Sequence, residues 1–126
     1  MNNSLYIGEL VYNRLSTIPE TTTRCYPLIA ENSTTFPFII YKRDSLERES
    51  LTKDGYGSDY VSVTVTIVTE SYKEGLDIAQ KVRQLLTLRS YNYNDKMTVT
   101  SNLTAAYESY EDNSYIQTLT FTMSVA

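Results

Sequence analysis

The chain contains no histidine and a single cysteine, Cys25. The missing histidine removes the Ser-His-Asp triad, the commonest general base and the commonest transition-metal ligand. A lone cysteine cannot close an internal disulfide, and without histidine it lacks the usual partner of a catalytic thiol. Cys25 is therefore expected to be a small apolar or half-buried filler. No apolar run approaches the length of a bilayer span. Met1-Asn-Asn-Ser4 leads into a helical pattern carrying Glu9, not into an apolar secretory segment. We expect a protein that is intracellular where it is made, with no membrane partner. Net charge is −4 and the isoelectric point about 4.8. No lysine/arginine cluster stands out, so direct nucleic-acid binding is not expected.

What is present fits an ordinary globular chain. The 126 residues correspond to one domain, 1–126, long enough to bury a core. Twelve tyrosines stand beside three phenylalanines and no tryptophan. Tyrosine is both a good strand residue and a common interface residue. Two readings stay open: a tyrosine-rich sheet, or several tyrosines lining protein contacts.

Periodicity lays out the elements. Ser4 is a candidate N-cap, and Ile7, Leu10, Val11, Leu15 and Ile18 recur at helical spacing, which predicts a helix over 4–16 closed by Pro19. Cys25 to Ile29 reads as a short strand whose proline suggests an edge or a strand start. Phe36 to Tyr41 reads as the next strand, continuing to Leu46. Glu47 to Ser58 is a charged, glycine-bearing connector, read as a long hairpin loop or arm. Asp59 to Thr69 then alternates with period two: Val61, Val63, Val65 and Ile67 on one face, Tyr60, Ser62, Thr64 and Thr66 on the other. Ser71-Tyr-Lys-Glu74 is a capping box opening an amphipathic helix. Its expected buried stripe is Leu76, Ala79, Val82 and Leu86, broadened by Ile78 and Leu85. Tyr91 to Asp95 is expected as a polar turn. A strand follows from Met97, turn residues at Glu111-Asp-Asn-Ser114, and a last strand with Leu119, Phe121, Met123 and Val125 on one face. The order is α-β-β-β-α-β-β. This predicts an α+β fold with a mostly antiparallel sheet of four to five strands and two helices on one face. The other face is left rich in threonine and tyrosine.

No motif carries catalysis. Asp54-Gly-Tyr-Gly-Ser-Asp59 lacks the acid spacing of a calcium loop, is not a Walker sequence and leads into a strand. Glu108, Glu111 and Asp112 sit near a turn with nothing to mark a cleft. Asn3-Ser4, Asn32-Ser-Thr34 and Asn102-Leu-Thr104 belong to glycosylation triplets or near-triplets that carry little weight without a signal peptide. No catalytic, metal or cofactor site is expected. Arg43 to Lys53 mixes both charge signs, either as a solvated hairpin or as a docking arm that orders against a partner subunit.

A sequence-wide resemblance adds to this. It is carried by the N-terminal amphipathic helix, Arg24-Cys-Tyr-Pro27, Pro37-Phe-Ile-Ile-Tyr41 and the charged loop. It continues through Val61-Ser-Val-Thr-Val65, the helix from Tyr72 to Leu86 and the closing Leu119-Thr-Phe-Thr-Met123. In order, spacing and length the chain resembles the small tail-component, or tail-terminator, proteins of long-tailed phages and prophages. The tyrosine-rich stretch 107–115 departs from that pattern. The resemblance implies a structural protein, not an enzyme. It would form a homo-oligomeric, hexameric ring that caps the tail tube and meets the major tail tube protein and a head-completion protein. It would be made in the bacterial host cytoplasm and end in the virion tail. The alternative is another neck or tail adaptor, or a protein-interaction module of a prophage. The candidate interface residues are Arg43, Asp44, Glu47, Arg48, Glu49, Lys53, Asp54 and Tyr56 along the arm, with Ser62, Thr64 and Thr66 on the open strand face.

Overall fold

The computed structural model describes residues 3–21, 24–30, 34–48 and 58–126. The class is α+β. Helix α1 spans Ile7–Leu15 and α2 spans Tyr72–Leu86; the strands are β1 Cys25–Pro27, β2 Phe38–Arg48, β3 Asp59–Thr69, β4 Leu88–Tyr93, β5 Met97–Glu111 and β6 Ser114–Val125. They form one six-stranded sheet in the order β1-β2-β3-β6-β5-β4. Among the described strands only the β1–β2 pair is parallel; the others are antiparallel.

β3 is the axis of the fold. Val61, Val63, Val65 and Ile67 are buried along one face, as their alternation predicts. They meet Leu119, Phe121 and Met123 of β6, Ile39 of β2 and the buried helix residues in a single core cluster. Burying each such aliphatic side chain favours folding by about 1.5–3 kcal/mol before ordering entropy is subtracted. Ser71 caps α2 by accepting the Glu74 N–H at 3.4 Å. Arg14 of α1 donates from Nε to the Leu85 carbonyl at 2.9 Å and lies 5.2 Å from the Tyr91 ring centroid. One guanidinium thus joins α1, the end of α2 and β4. Lys81 and Glu20 pair at 2.6 Å and link α2 to the 3-10 turn Pro19–Thr21.

Four expectations need correction. The sheet has six strands, because Leu88–Tyr93 is a strand and not part of a turn, so the order is α-β-β-β-α-β-β-β. The turn lies just beyond it, where Asn94 and Asp95 adopt positive φ of 49° and 57°. A register shift between Leu88 and Tyr91 hides the period-two pattern of β4. Second, β1 ends at Pro27, because Leu28 takes φ 68° and turns the chain out of the ladder. Third, Ser4 is not the N-cap of α1. It lies in a 3-10 turn, Ser4–Tyr6, and its buried hydroxyl donates to the Asp59 carboxylate. Fourth, Leu76 is 40% exposed; Gly75 and Ile78 take the inward position beside Ala79, Val82 and Leu86.

The hairpin of β5 and β6 is continuous through the tyrosine-rich stretch. Asp112 and Asn113 have φ of 50° and 61°, the sense of a two-residue type I′ turn.

Candidate interaction surface

Both helices cover the same face of the sheet, so the opposite face is open. Its centre is a ladder of small polar side chains. Thr66 lies opposite Thr118, Thr64 opposite Thr120 and Ser62 opposite Thr122. The Thr64 and Thr120 hydroxyls are 3.5 Å apart. Ser62, Thr64 and Thr66 are half-buried on the open face, where the alternation of β3 places them. Short hydroxyl side chains keep this surface flat and leave donors and acceptors pointing outward.

The charged residues of β2 divide between the two faces. A bulge at Asp44 interrupts the β2–β3 register between Arg43 and Ser45. Asp44 turns to the open face, accepts from the Thr64 hydroxyl and pairs with Lys42 at 3.2 Å. Arg43 turns to the helix face, where Nη1 donates to the Leu5 carbonyl at 3.2 Å. Arg48 lies on that face too, 3.8 Å from the Asp59 carboxylate that also receives Ser4. Glu47 is exposed. The structure therefore brings Asp44 to Thr64 and separates Arg43 and Arg48 from both. Glu49, Lys53, Asp54 and Tyr56 lie outside the described residues.

Two further surface features were not singled out from sequence. At one end of the open face, Phe36, Phe38, Ile40, Val68 and Ile116 share a shallow hollow of about 340 Å³ with Thr34, Glu111, Asp112 and Ser114. Leu28 and Ile29 in the preceding loop are 68% and 78% exposed. The apolar side chains at even positions of β2 were the only signal for this corner.

The other is an aromatic cluster at the hairpin end. Tyr72 of α2 lies 5.9 Å from Tyr115, and Tyr115 lies 4.8 Å from Tyr110, centroid to centroid. The Tyr72 hydroxyl donates to Glu108 at 2.9 Å, and Gln117 Nε2 donates to the same carboxylate at 3.1 Å. Gln117 and Tyr72 hold the Glu108 carboxyl below its ordinary range, while the Glu108 bond raises the Tyr72 phenol. Tyrosine enrichment announced such contacts without placing them.

Among the described residues no group of three or more histidine, cysteine, aspartate or glutamate side chains could hold a metal ion. No described helix is long and apolar enough to cross a membrane. Cys25 is buried, and burial pushes its thiol up to about 12, where it stays protonated at neutral pH.

No protein-family model matches the chain, and no curated protein matches it. Among solved structures, the fold is similar to that of a chain in a structure described as "Virion of native gene transfer agent (GTA) particle". That likeness has a TM-score of 0.68 at 10% identity and covers 91% of this chain and 90% of that one. At such identity it is a likeness of fold.

Proposed function

We propose that this chain is a structural protein of a phage or phage-like particle, acting as a tail terminator. Copies associate head-to-tail into a closed ring, hexameric in this reading, that caps the tail tube and presents a surface to a head-completion protein. The observation that carries the reading is the fold shared with a chain of the gene transfer agent virion over about nine-tenths of both chains. The open hydroxyl face of β3 and β6 supports a role performed by surfaces. The partners are other copies of the chain, the major tail tube protein and the head-completion protein. The work is done without catalysis, a cofactor, a membrane or direct nucleic-acid binding. The protein is made in the cytoplasm of a bacterial host and ends in the virion tail.

In this reading Glu47, at the end of β2, and Glu49 and Asp54 in the arm sequence after it supply acidic groups that let DNA pass without holding it. Charge reversal at these three positions is expected to impair assembly or infectivity, and unchanged particles would contradict the role of the arm.

Deletion of the gene from the producing strain tests the terminator role. Loss of the cap is expected to give tail tubes of uncontrolled length without heads. Tubes of normal length lacking only head attachment would favour a neck adaptor instead.

A further inference from the structure

The two edges of the sheet are each half covered, at opposite ends. On one edge, β1 pairs with β2 only from Ile39 to Tyr41. Among the described residues, β2 from Lys42 to Arg48 has no strand on its outer side. On the other edge, β4 pairs with β5 only as far as Ser101. Residues 102–111 of β5 have no described strand beyond them.

The free stretches run in opposite senses and lie diagonally across the sheet. β2 leads away from β1 toward Asp59 and Val125; β5 leads away from β4 toward the Asp112-Asn113 turn. A second copy, shifted along the strand direction, therefore sets its free β2 stretch antiparallel beside the free β5 stretch of the first. Neither β1 nor β4 stands in the way, because each covers the half of its edge that this pairing leaves unused. Strands that tilt to the axis convert such a stagger into closure, as in any barrel.

Backbone direction fits as well. The Ile39 N–H donates outward to Arg24 O at 2.9 Å, and Tyr41 O accepts from Leu28 at 2.8 Å. Continuing the alternation past the bulge sends the backbone groups of Arg43, Leu46 and Arg48 outward. In a two-residue hairpin the flanking residues bond to each other, so Glu111, Ser109 and Tyr107 face β6. Ala106, Glu108 and Tyr110 then face outward.

We infer that β5 of one copy pairs antiparallel with β2 of the next, with Arg48 opposite Glu108 and Leu46 opposite Tyr110, to make a sheet continuous between subunits. This rests on the head-to-tail association proposed above and supplies its contact. The register joins a cation to an anion and an aliphatic to an aromatic side chain on the same face, the cross-strand pairs that stabilise a ladder. Bulges and charges on edge strands commonly prevent association. Here the bulges at Asp44 and Thr104 lie at the inner ends of the free stretches, and the charges that would face each other differ in sign.

Hydrogen exchange of the full chain, followed with sedimentation velocity from micromolar to millimolar concentration, tests the contact. Association is expected to protect the amides of Glu108 and Tyr110 together with those of Leu46 and Arg48. A chain that stays monomeric throughout, or associates with these amides unchanged, overturns the inference. Tyr110→Pro removes the outward N–H that faces Leu46 in this register without touching the β6 ladder, so it is expected to keep its circular dichroism and lose association. Folded Tyr110→Pro that associates like the parent overturns the contact. Should it fail to fold, Arg48→Glu and Glu108→Arg are each expected to weaken association up to about fivefold and together to restore it; a double variant without restoration overturns the register. Association through these edges with no effect on tail tubes would defeat the terminator role and leave the contact standing. Tube capping with these amides unprotected would do the reverse.

Discussion

The Tyr72 hydroxyl donates to the Glu108 carboxylate at 2.9 Å, tying the first turn of α2 to the outer strand of the β5–β6 hairpin. Residues separated by a whole helix and two strands thus meet at one corner, and Gln117 completes the cluster from β6. The Glu108 carboxyl titrates below its unfolded value. Its contribution is therefore present above the unfolded pKa and is lost as pH falls through the lowered folded one. Glu108→Gln is expected to flatten that part of the acid-side fall in thermal stability. Melting curves of parent and variant across the carboxylate range check this, and parallel pH profiles would contradict it. The Tyr72 phenol is raised, so its share is lost on the alkaline side as pH rises through its folded pKa.

Cys25 gives an independent probe of the fold. It is 4% exposed and its thiol is held near 12. Alkylating reagent at neutral pH is expected to label it only through opening of the structure. Labelling kinetics with and without denaturant measure this; rapid labelling of the native chain would mean that β1 does not pack as described.

Two glycines on helices should respond in opposite ways to alanine. A Cβ at Gly8 would meet nothing nearer than Tyr41 Cε2 at 3.9 Å. Gly8→Ala is expected to stabilise by roughly 0.5 kcal/mol through helix preference. At Gly75 the added Cβ would lie 3.0 Å from the Thr69 hydroxyl. Thr69 is fully buried and donates to Ser71 O at 2.8 Å, so it has little freedom to move. Gly75→Ala is expected to destabilise by about 1–3 kcal/mol, as overpacking does. Chemical denaturation of both variants reads the sign.

Leu86 and Leu76 make a similar contrast on α2. Leu86 is fully buried and Leu76 is 40% exposed. Leu86→Ala is expected to lower stability by about 2–5 kcal/mol, and Leu76→Ala to change it by less than about 1 kcal/mol. Equal losses would restore Leu76 to the core.

Sequence patterning carried much of this fold where burial and periodicity agree. β3, with one face packed and one half-open, has the bounds its alternation predicts, and Ser71 caps α2 as its spacing with Glu74 predicts. The misses share a cause: local geometry that shifts a period. The irregularity beside Ser90, with φ 47°, concealed β4. Alternation already puts Arg43 opposite the face of Asp44, and the bulge at Asp44 moves Arg48 to the side of Arg43, so the charged set of β2 is two sets. Leu76 matched a helical stripe by spacing, yet Gly75, packed close to Thr69, takes its inward place while Ala79, Val82 and Leu86 stay buried. The open hydroxyl face was legible in Ser62, Thr64 and Thr66. The apolar corner and the tyrosine cluster were not, because they join residues remote in sequence.

The most direct test of the central claim is electron microscopy of particles from a producing strain carrying a tagged copy of this chain. A ring of the tagged protein is expected at the head-proximal end of the tail tube. Particles whose tail ends lack the tag, or a tag distributed along the tube or absent from the particle, would contradict it.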